Sequence, residues 1–287
     1  MYAYELEICF CPYSDRKKIR GVNYVKNALI NYYWGKHNLE KHFPAVLFTD
    51  ILEERIINGK KIDNPFIIYK KSNDLGLLLN RNFGLQFATG DIIGFPDDDC
   101  TYYSDTLENI LNCFLDVKFK NNDAVLGQIF DNHTHQPIIK SWPQKNTKVT
   151  IFNFYKLSSS ITLFCKKNKM KFNESMGAGT KFGSCEDTDY IYNMLVLKKK
   201  LIYCPSVKVW HPEINYNEAS LKRVESYASG LGYFIANEIN FLKVGLLLGC
   251  ILKKGKQAII SQSCYRTGYF RNYFKGLIRG LQQKKIN

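Results

Sequence analysis

The sequence predicts an α/β protein, a sheet with helices packed against it, followed by a helical and strongly basic extension. Three observations predict it. Short apolar runs bounded by turn residues alternate with stretches of helical periodicity through most of the chain. One such run, Ile92–Phe95, breaks abruptly into Pro96-Asp97-Asp98-Asp99-Cys100. The last acidic residue is Glu238, and the chain beyond it carries ten of the Lys and Arg residues that make up a net charge of +14. These features divide the chain into an α/β domain over residues 1–215 and an extension over 216–287.

In order, Leu6–Cys11 reads as the first strand and ends at the turn-rich Pro12-Tyr13-Ser14-Asp15-Arg16, before a helix around Val22–Trp34. Ala45–Thr49 reads as a second strand closed by Asp50, and Phe66–Tyr69 as a third. Ser72-Asn73-Asp74 can cap a helix carrying Leu77, Leu78, Arg81, Leu85 and Ala88, with Gly90 closing it in the left-handed conformation. Farther on, a helix starts near Glu186 and runs to about Lys199, with Asp187, Ile191, Met194 and Leu195 on its inward face. Val207–Pro212 reads as a strand whose alternation sets Val207, Val209 and His211 on one side.

Composition narrows the class. A hydrophobic content of 45% over 287 residues suits a packed core and excludes a disordered or collagen-like chain. Of nine cysteines only Cys9 and Cys11 are close in sequence, which argues against a zinc ribbon or a disulfide framework and for a reducing cytosol. Glu5 and Glu7 stand where an export signal would be basic. The longest apolar stretch, Phe241–Leu252, is interrupted by Lys243 and falls short of the roughly 20 residues that cross a bilayer, so it suits lying on a membrane.

Three adjacent carboxylates at the end of a buried strand repel one another unless a cation or a hydrogen-bond network offsets them. In extended backbone Asp97 and Asp99 point one way and Asp98 the other, so one pair can address one ion or one nucleotide. The plain alternative is a solvated acidic turn. Two neighbouring segments weigh against it: the helix bearing Asn80-Arg81-Asn82 that leads into this strand, and Phe172–Asp189, FNESMGAGTKFGSCEDTD, with Gly177, Gly179 and Gly183. The glycine spacing is not that of a dinucleotide fingerprint. Glu186 and Asp187 could take a proton from a hydroxyl, or simply favour the positive end of their helix.

The block from Gly76 to Cys100, GLLLNRNFGLQFATGDIIGFPDDDC, resembles glycosyltransferase family 2, in which a Gly-Leu-x-x-x-Arg-Asn-x-Gly helix precedes a strand ending in Asp-x-Asp. The likeness extends from Gly76 to Pro212. It implies a GT-A fold, a Rossmann-like mixed sheet, and an inverting, metal-dependent hexosyl transfer from a nucleotide-diphosphate sugar. It also implies roles: Arg81, Asp97 and Asp98 at the donor; Asp97, Asp99 and His211 on Mg²⁺ or Mn²⁺; Gly177, Gly179 and Gly183 in an acceptor loop followed by the catalytic Glu186-Asp187. Tyr13, stacked on the base, and Asp50, bonded to it, stand in for the family's first two loop motifs. No Gln-x-x-Arg-Trp element follows His211, so one sugar per encounter is expected.

In the tail Phe270, Tyr273, Phe274, Leu277 and Leu281 share one helical face, and Arg271, Lys275 and Arg279 the other. Such a helix can lie in an anionic membrane interface, or cap the catalytic domain through its aromatic face. With the family likeness, this points to a peripheral enzyme on the cytoplasmic face of the cell membrane, acting on a saccharide or lipid-linked saccharide in surface-polysaccharide synthesis, with no nucleic-acid partner. Two other readings stay open: a metal-dependent nuclease or nucleotidyltransferase using the same carboxylates, and a non-catalytic membrane scaffold.

Overall fold

The computed structural model describes residues 6–10, 45–50, 56–57, 60–61, 67–71, 77–97, 100–119, 121–131, 133–212, 221–260 and 265–283. The expected helix at Val22–Trp34, Tyr13, Asp98 and Asp99 lie outside the described residues, as does the side chain of Asp50. The chain forms two compact units. One comprises Met1–Phe172 with Tyr190–Glu213; the other comprises Asn173–Asp189 with Ile214–Asn287.

The first unit is built on one mixed sheet. Its strands are β1 (Leu6–Phe10), β2 (Ala45–Asp50), β5 (Ile67–Lys71), β6 (Ile92–Gly94), β7 (Thr101–Tyr102), β8 (Ala124–Asp131), β9 (Gln136–Pro137), β10 (Thr147–Val149), β11 (Leu163–Lys166) and β12 (Leu201–Trp210). A separate two-residue hairpin joins β3 (Ile56–Ile57) to β4 (Lys60–Lys61). The sheet order is β10-β12-β8-β11-β6-β1-β2-β5, with β7 on β12 and β9 on β8. β5, β2, β1 and β6 run parallel, β11 is antiparallel to both β6 and β8, and β8 is parallel to β12. It follows that β6 and β12 point the same way, and their carboxyl ends share one edge of the sheet.

The central strands are buried on both faces, as their unbroken apolar runs require: Ile92, Ile93, Ala124, Val125, Leu126, Leu163 and Phe164 are all solvent-free. Helix α1 (Leu77–Leu85) follows β5, and α2 (Thr106–Leu115) buries Leu107, Ile110 and Phe114 at its apolar spacing. Thr106 fixes the start of α2, because its hydroxyl accepts from Tyr103 N–H at 2.8 Å and donates to the Lys208 carbonyl at 2.7 Å. A short helix, α3 (Phe154–Leu157), precedes β11. Contrary to expectation, Gly90 does not close α1: the helix ends at Leu85, and Gly90 is absent from the positive-φ glycines, which are Gly177 and Gly179. Turn bonds from Gln86 and Phe87 N–H to the Phe83 and Gly84 carbonyls finish the helix first.

β12 carries a bulge. Between Tyr203 and Lys208 it advances five residues while β8 advances only from Leu126 to Gln128. Pro205, which has no N–H for a ladder, sits in this bulge, and Gln128 donates to its carbonyl at 2.7 Å. Gly127 is the residue that tolerates the crossing, since a Cβ there would stand 2.3 Å from the Val207 carbonyl oxygen. The bulge redirects the last residues of β12, Val207–Trp210, toward the carboxyl edge.

The second unit contains the first turn of α4 (Glu186–Val196), then α5 (Leu221–Ala236), α6 (Phe241–Ile260) and α7 (Tyr265–Leu281). α5 and α7 lie almost backbone to backbone. A Cβ on Gly276 would meet the Glu225 carbonyl oxygen at 2.1 Å, one on Gly280 the Ser229 oxygen at 2.2 Å, and one on Gly232 the Leu277 oxygen at 2.3 Å. The apolar face of α7 packs on α5, a helix of the extension itself, with Tyr273 and Leu277 buried. Lys275 and Arg279 reach over the seam to Glu225 at 3.0 and 3.1 Å.

Close packing of this kind fixes the sign of two otherwise identical substitutions. Gly280→Ala is expected to lower stability by about 1–3 kcal/mol through overpacking. Gly255→Ala, at a helical position with nothing within 4 Å of the added methyl, is expected to raise it by about 0.5–1 kcal/mol. Urea unfolding of the full chain measures both.

Candidate active site at the carboxyl edge of the sheet

The acidic strand end is organised by a buried cation. Arg81 is 0% exposed, and its Nη2 donates to Asp97 Oδ1 at 2.7 Å and to the Phe95 carbonyl at 3.4 Å. Asp97 keeps about a third of its side chain, 32%, in solvent. Nε and Nη1 of Arg81 are buried with no hydrogen-bond partner, so Asp97 is the group through which this cation is chiefly stabilised. The position of Arg81 follows from sequence: it lies on the buried face of α1, one turn from Leu77 and Leu78, and its neighbours lock it in place. Asn82 donates to the Phe172 carbonyl at 2.9 Å and accepts from the Phe172 N–H at 2.8 Å. That reciprocal pair carries the Phe172 ring to 5.4 Å from the guanidinium. Phe172 then stacks on Tyr190 at 4.4 Å and meets Phe95 edge-on at 5.0 Å.

Arg81 is therefore neither a surface arginine nor a group that itself faces solvent. It acts through Asp97.

The other half of the edge comes from β12. The strand ends at Trp210, which pairs with Thr101 of β7, and continuing the antiparallel register by one step sets His211 across from Cys100. The short strand β7 thus folds the chain that leaves the acidic segment back alongside His211. The imidazole Nδ1 lies 2.7 Å from the Pro212 carbonyl, which can only accept, so Nδ1 donates there, and in the neutral ring this sets the lone pair on Nε2. A carboxylate and an Nε2 lone pair at one sheet edge make a donor set suited to a divalent ion. Among the described residues no group of three metal-ligating side chains is assembled; Asp98 and Asp99 are outside them.

Sequence reasoning missed Tyr102. Its hydroxyl is buried without a partner, and burial, then the nearby Cys100 and Asp97, push its pKa well up while Arg81 opposes them. The pairing of β7 with β12 brings this ring edge-on to Phe164, for which the missing side chain of Gly94 leaves room.

The remaining expected residues lie in the second unit. Gly177 and Gly179 have φ of 88° and 86°, the left-handed region, and the loop closes on itself through Gly177 N–H to the Phe182 carbonyl at 2.8 Å. Gly183 is required by packing: a Cβ would stand 2.2 Å from Ser226 Oγ. Arg279 donates to the Lys181 carbonyl at 3.0 Å, and Phe182 stacks on Tyr233 at 4.2 Å, so α5 and α7 hold this loop. Cys185 enters α4 at φ 69°, a strained value for a non-glycine residue, with its thiol buried and its pKa raised by that burial. Glu186 and Asp187 open the helix, both half-buried; Asp187 Oδ1 accepts from the Thr188 N–H at 2.6 Å. The fully buried acid of this turn is Asp189, which the sequence pattern did not single out.

Residues 49–188 match the model of Glycosyl transferase family 2. The chain carries a glycosyl transferase family 2 domain. That domain spans α1, the Arg81–Asp97 pair, the glycine loop and the Glu186-Asp187 turn. An uncharacterized glycosyltransferase of Haemophilus influenzae is 23% identical over 159 residues, 54% of this chain; the chain spans about half, 52%, of that curated relative's length. The solved structure of S. aureus TarS 1–349 is similar at a TM-score of 0.59 and 13% identity, over 96% of this chain and 81% of that one. The mannosyltransferase PcManGT of Pyrobaculum calidifontis, solved with GDP-Man and Mn²⁺, is similar at 0.56 and 14% identity, over 99% and 89%. These likenesses establish the GT-A fold.

A buried cation whose counter-ion is half-exposed predicts an asymmetric mutant cycle. Asp97→Ala strands the guanidinium and is expected to cost about 3–5 kcal/mol. Adding Arg81→Met to it is expected to recover part of that loss in thermal or urea unfolding. Simple additivity of the two losses would contradict the pairing.

Proposed function

We propose that this chain is an inverting glycosyltransferase that moves one hexosyl group from a nucleotide-diphosphate sugar to a hydroxyl of a saccharide, with a lipid-linked intermediate of a surface polysaccharide as the acceptor. The observation that supports this most is the shared carboxyl edge: β6, which Asp97 follows, and β12, which His211 follows, point the same way with β11 and β8 between them, and β7 brings the chain after the acidic segment back along β12. The fold relatives add to it: one was solved with UDP-GlcNAc and another with GDP-Man and Mn²⁺.

In this reading Arg81 is a positioning residue that aims the Asp97 carboxylate, and Asp97, Asp99 and His211 would hold Mg²⁺ or Mn²⁺. Bound there, the ion supplies positive charge against the departing diphosphate. Asp98, Tyr13 and Asp50 complete the donor side. Inversion needs a carboxylate to take the acceptor proton as the hydroxyl oxygen attacks the anomeric carbon and the diphosphate leaves from the opposite face. Asp187 is assigned that role: it opens α4, and its Oδ1 is fixed by the Thr188 N–H at 2.6 Å. Glu186 and the loop with Gly177, Gly179 and Gly183 receive the acceptor.

A thermal-shift screen of nucleotide sugars with and without Mn²⁺ tests the donor assignment. At least one donor is expected to raise the melting temperature in the presence of Mn²⁺, and stabilisation by none of them would overturn it. Asp187→Asn is expected to keep that donor-induced shift and to lower transfer by at least about 100-fold, the loss expected of a general base. Turnover close to that of the unaltered chain would reject Asp187.

A further inference from the structure

Helix α6 leaves its most apolar face in solvent. Phe241 is 97% exposed, Leu252 72% and Leu248 56%, and Val244 is also open; Ile239, just ahead of the helix, is 69% exposed. These helix positions, with Gly245, span about 100° of the circumference, one stripe along three turns. Gly245 and Gly249 have nothing within 4 Å of where a side chain would begin, so among the described residues no element covers the stripe there.

The opposite face is tied down. Lys243 is 2% exposed, and its ammonium donates to the Phe234 carbonyl at 2.9 Å and to that of Asn237, capping the carboxyl end of α5. Asn240 caps α6, its side-chain oxygen accepting the Lys243 N–H at 3.1 Å. Farther along, Lys254 donates to the Tyr269 hydroxyl of α7 at 2.7 Å. Lys243 and Lys254 are thus turned inward, while the stripe of Phe241, Val244, Leu248 and Leu252 faces outward.

Charge chooses the occupant. No acidic residue follows Glu238, and Lys253 and Lys256 stand exposed where the stripe ends, with Arg271 exposed on α7. A second copy of this chain would bring like charges together along the seam. An anionic bilayer offers an apolar interior to Phe241, Leu248 and Leu252, and phosphates to the lysines. None of the described helices is long and apolar enough to cross a membrane, so α6 would lie along the interface.

We infer that α6 docks this protein on an anionic phospholipid surface, through the stripe Phe241–Leu252 and its basic end. The site differs from the amphipathic face that α7 displays in sequence, of which Tyr273 and Leu277 are buried and which packs on α5. Lipid docking rests on α6 alone; only its use, to meet a lipid-linked acceptor, rests on the proposed transferase reading.

Co-sedimentation of the full chain with vesicles tests it. The protein is expected to bind vesicles containing phosphatidylglycerol, less so at raised salt, and to bind pure phosphatidylcholine weakly. Leu248→Glu with Leu252→Glu is expected to weaken binding at least about tenfold. Phe241→Ser, at the most exposed position, is expected to weaken it in the same direction. Both variants should keep the melting temperature and any donor-induced shift, which reports the active site separately from lipid. The inference is overturned if the unaltered chain ignores anionic vesicles, or if both variants bind as it does. A dimer in solution that the paired glutamates dissolve, without vesicle binding by the unaltered chain, would assign the stripe to a second copy instead.

Discussion

A guanidinium with no solvent of its own has to be neutralised by something fixed, and in this protein that something is the carboxylate of Asp97. The pair determines much of the surrounding architecture. Asn82, next to Arg81, anchors Phe172, and Phe172 closes over the guanidinium and stacks on Tyr190. Because Arg81 is embedded in the wall behind the strand end, Asp97 is held with one oxygen bonded inward and the carboxylate still partly in solvent. A carboxylate held this way loses little conformational freedom when it engages a ligand, which is the physical content of a preorganised site.

The second constraint is the bulge in β12. A regular strand of that length, parallel to β8, would have carried its last residues on along the sheet. Pro205 and Gly127 allow the extra residues to be accommodated, and the redirected end pairs with β7 and sets His211 beside the segment that follows the acidic triplet. Two devices of sequence, a glycine and a proline that a strand would normally exclude, thus serve the edge where the chemistry is proposed.

Much of this was legible in the residues themselves. The apolar runs marked β1, β2, β5, β6 and β12, and the helix carrying Arg81 was evident from its periodicity. The GT-A class, and the grouping of the Arg-Asn helix with the acidic strand, followed from the family pattern between Gly76 and Pro212. What was not legible is contact. Burial of Arg81 depends on Phe172, ninety residues away from Asn82 in sequence, and no local pattern announces it. Gly183 read as part of an acceptor loop, and its packing on Ser226 gives it a structural reason as well. The amphipathicity of α7 suggested a membrane face, but a sequence does not say which partner an apolar face will meet; here glycines at 276 and 280 admit α5 first. The face left over belongs to α6, whose lysines made it look less amphipathic because Lys243 and Lys254 turn inward to cap and bond.

The central claim is that His211 and Asp97 form one ion-binding edge, with the His211 lone pair on Nε2. Nitrogen NMR of histidine-labelled protein addresses it directly, the five histidines being few enough to assign by substitution. The account predicts a neutral His211 protonated on Nδ1, and selective broadening of its Nε2 signal when Mn²⁺ is added with a nucleoside diphosphate. A His211 signal unchanged by Mn²⁺ and nucleotide, or one protonated on Nε2 in the free protein, would contradict it.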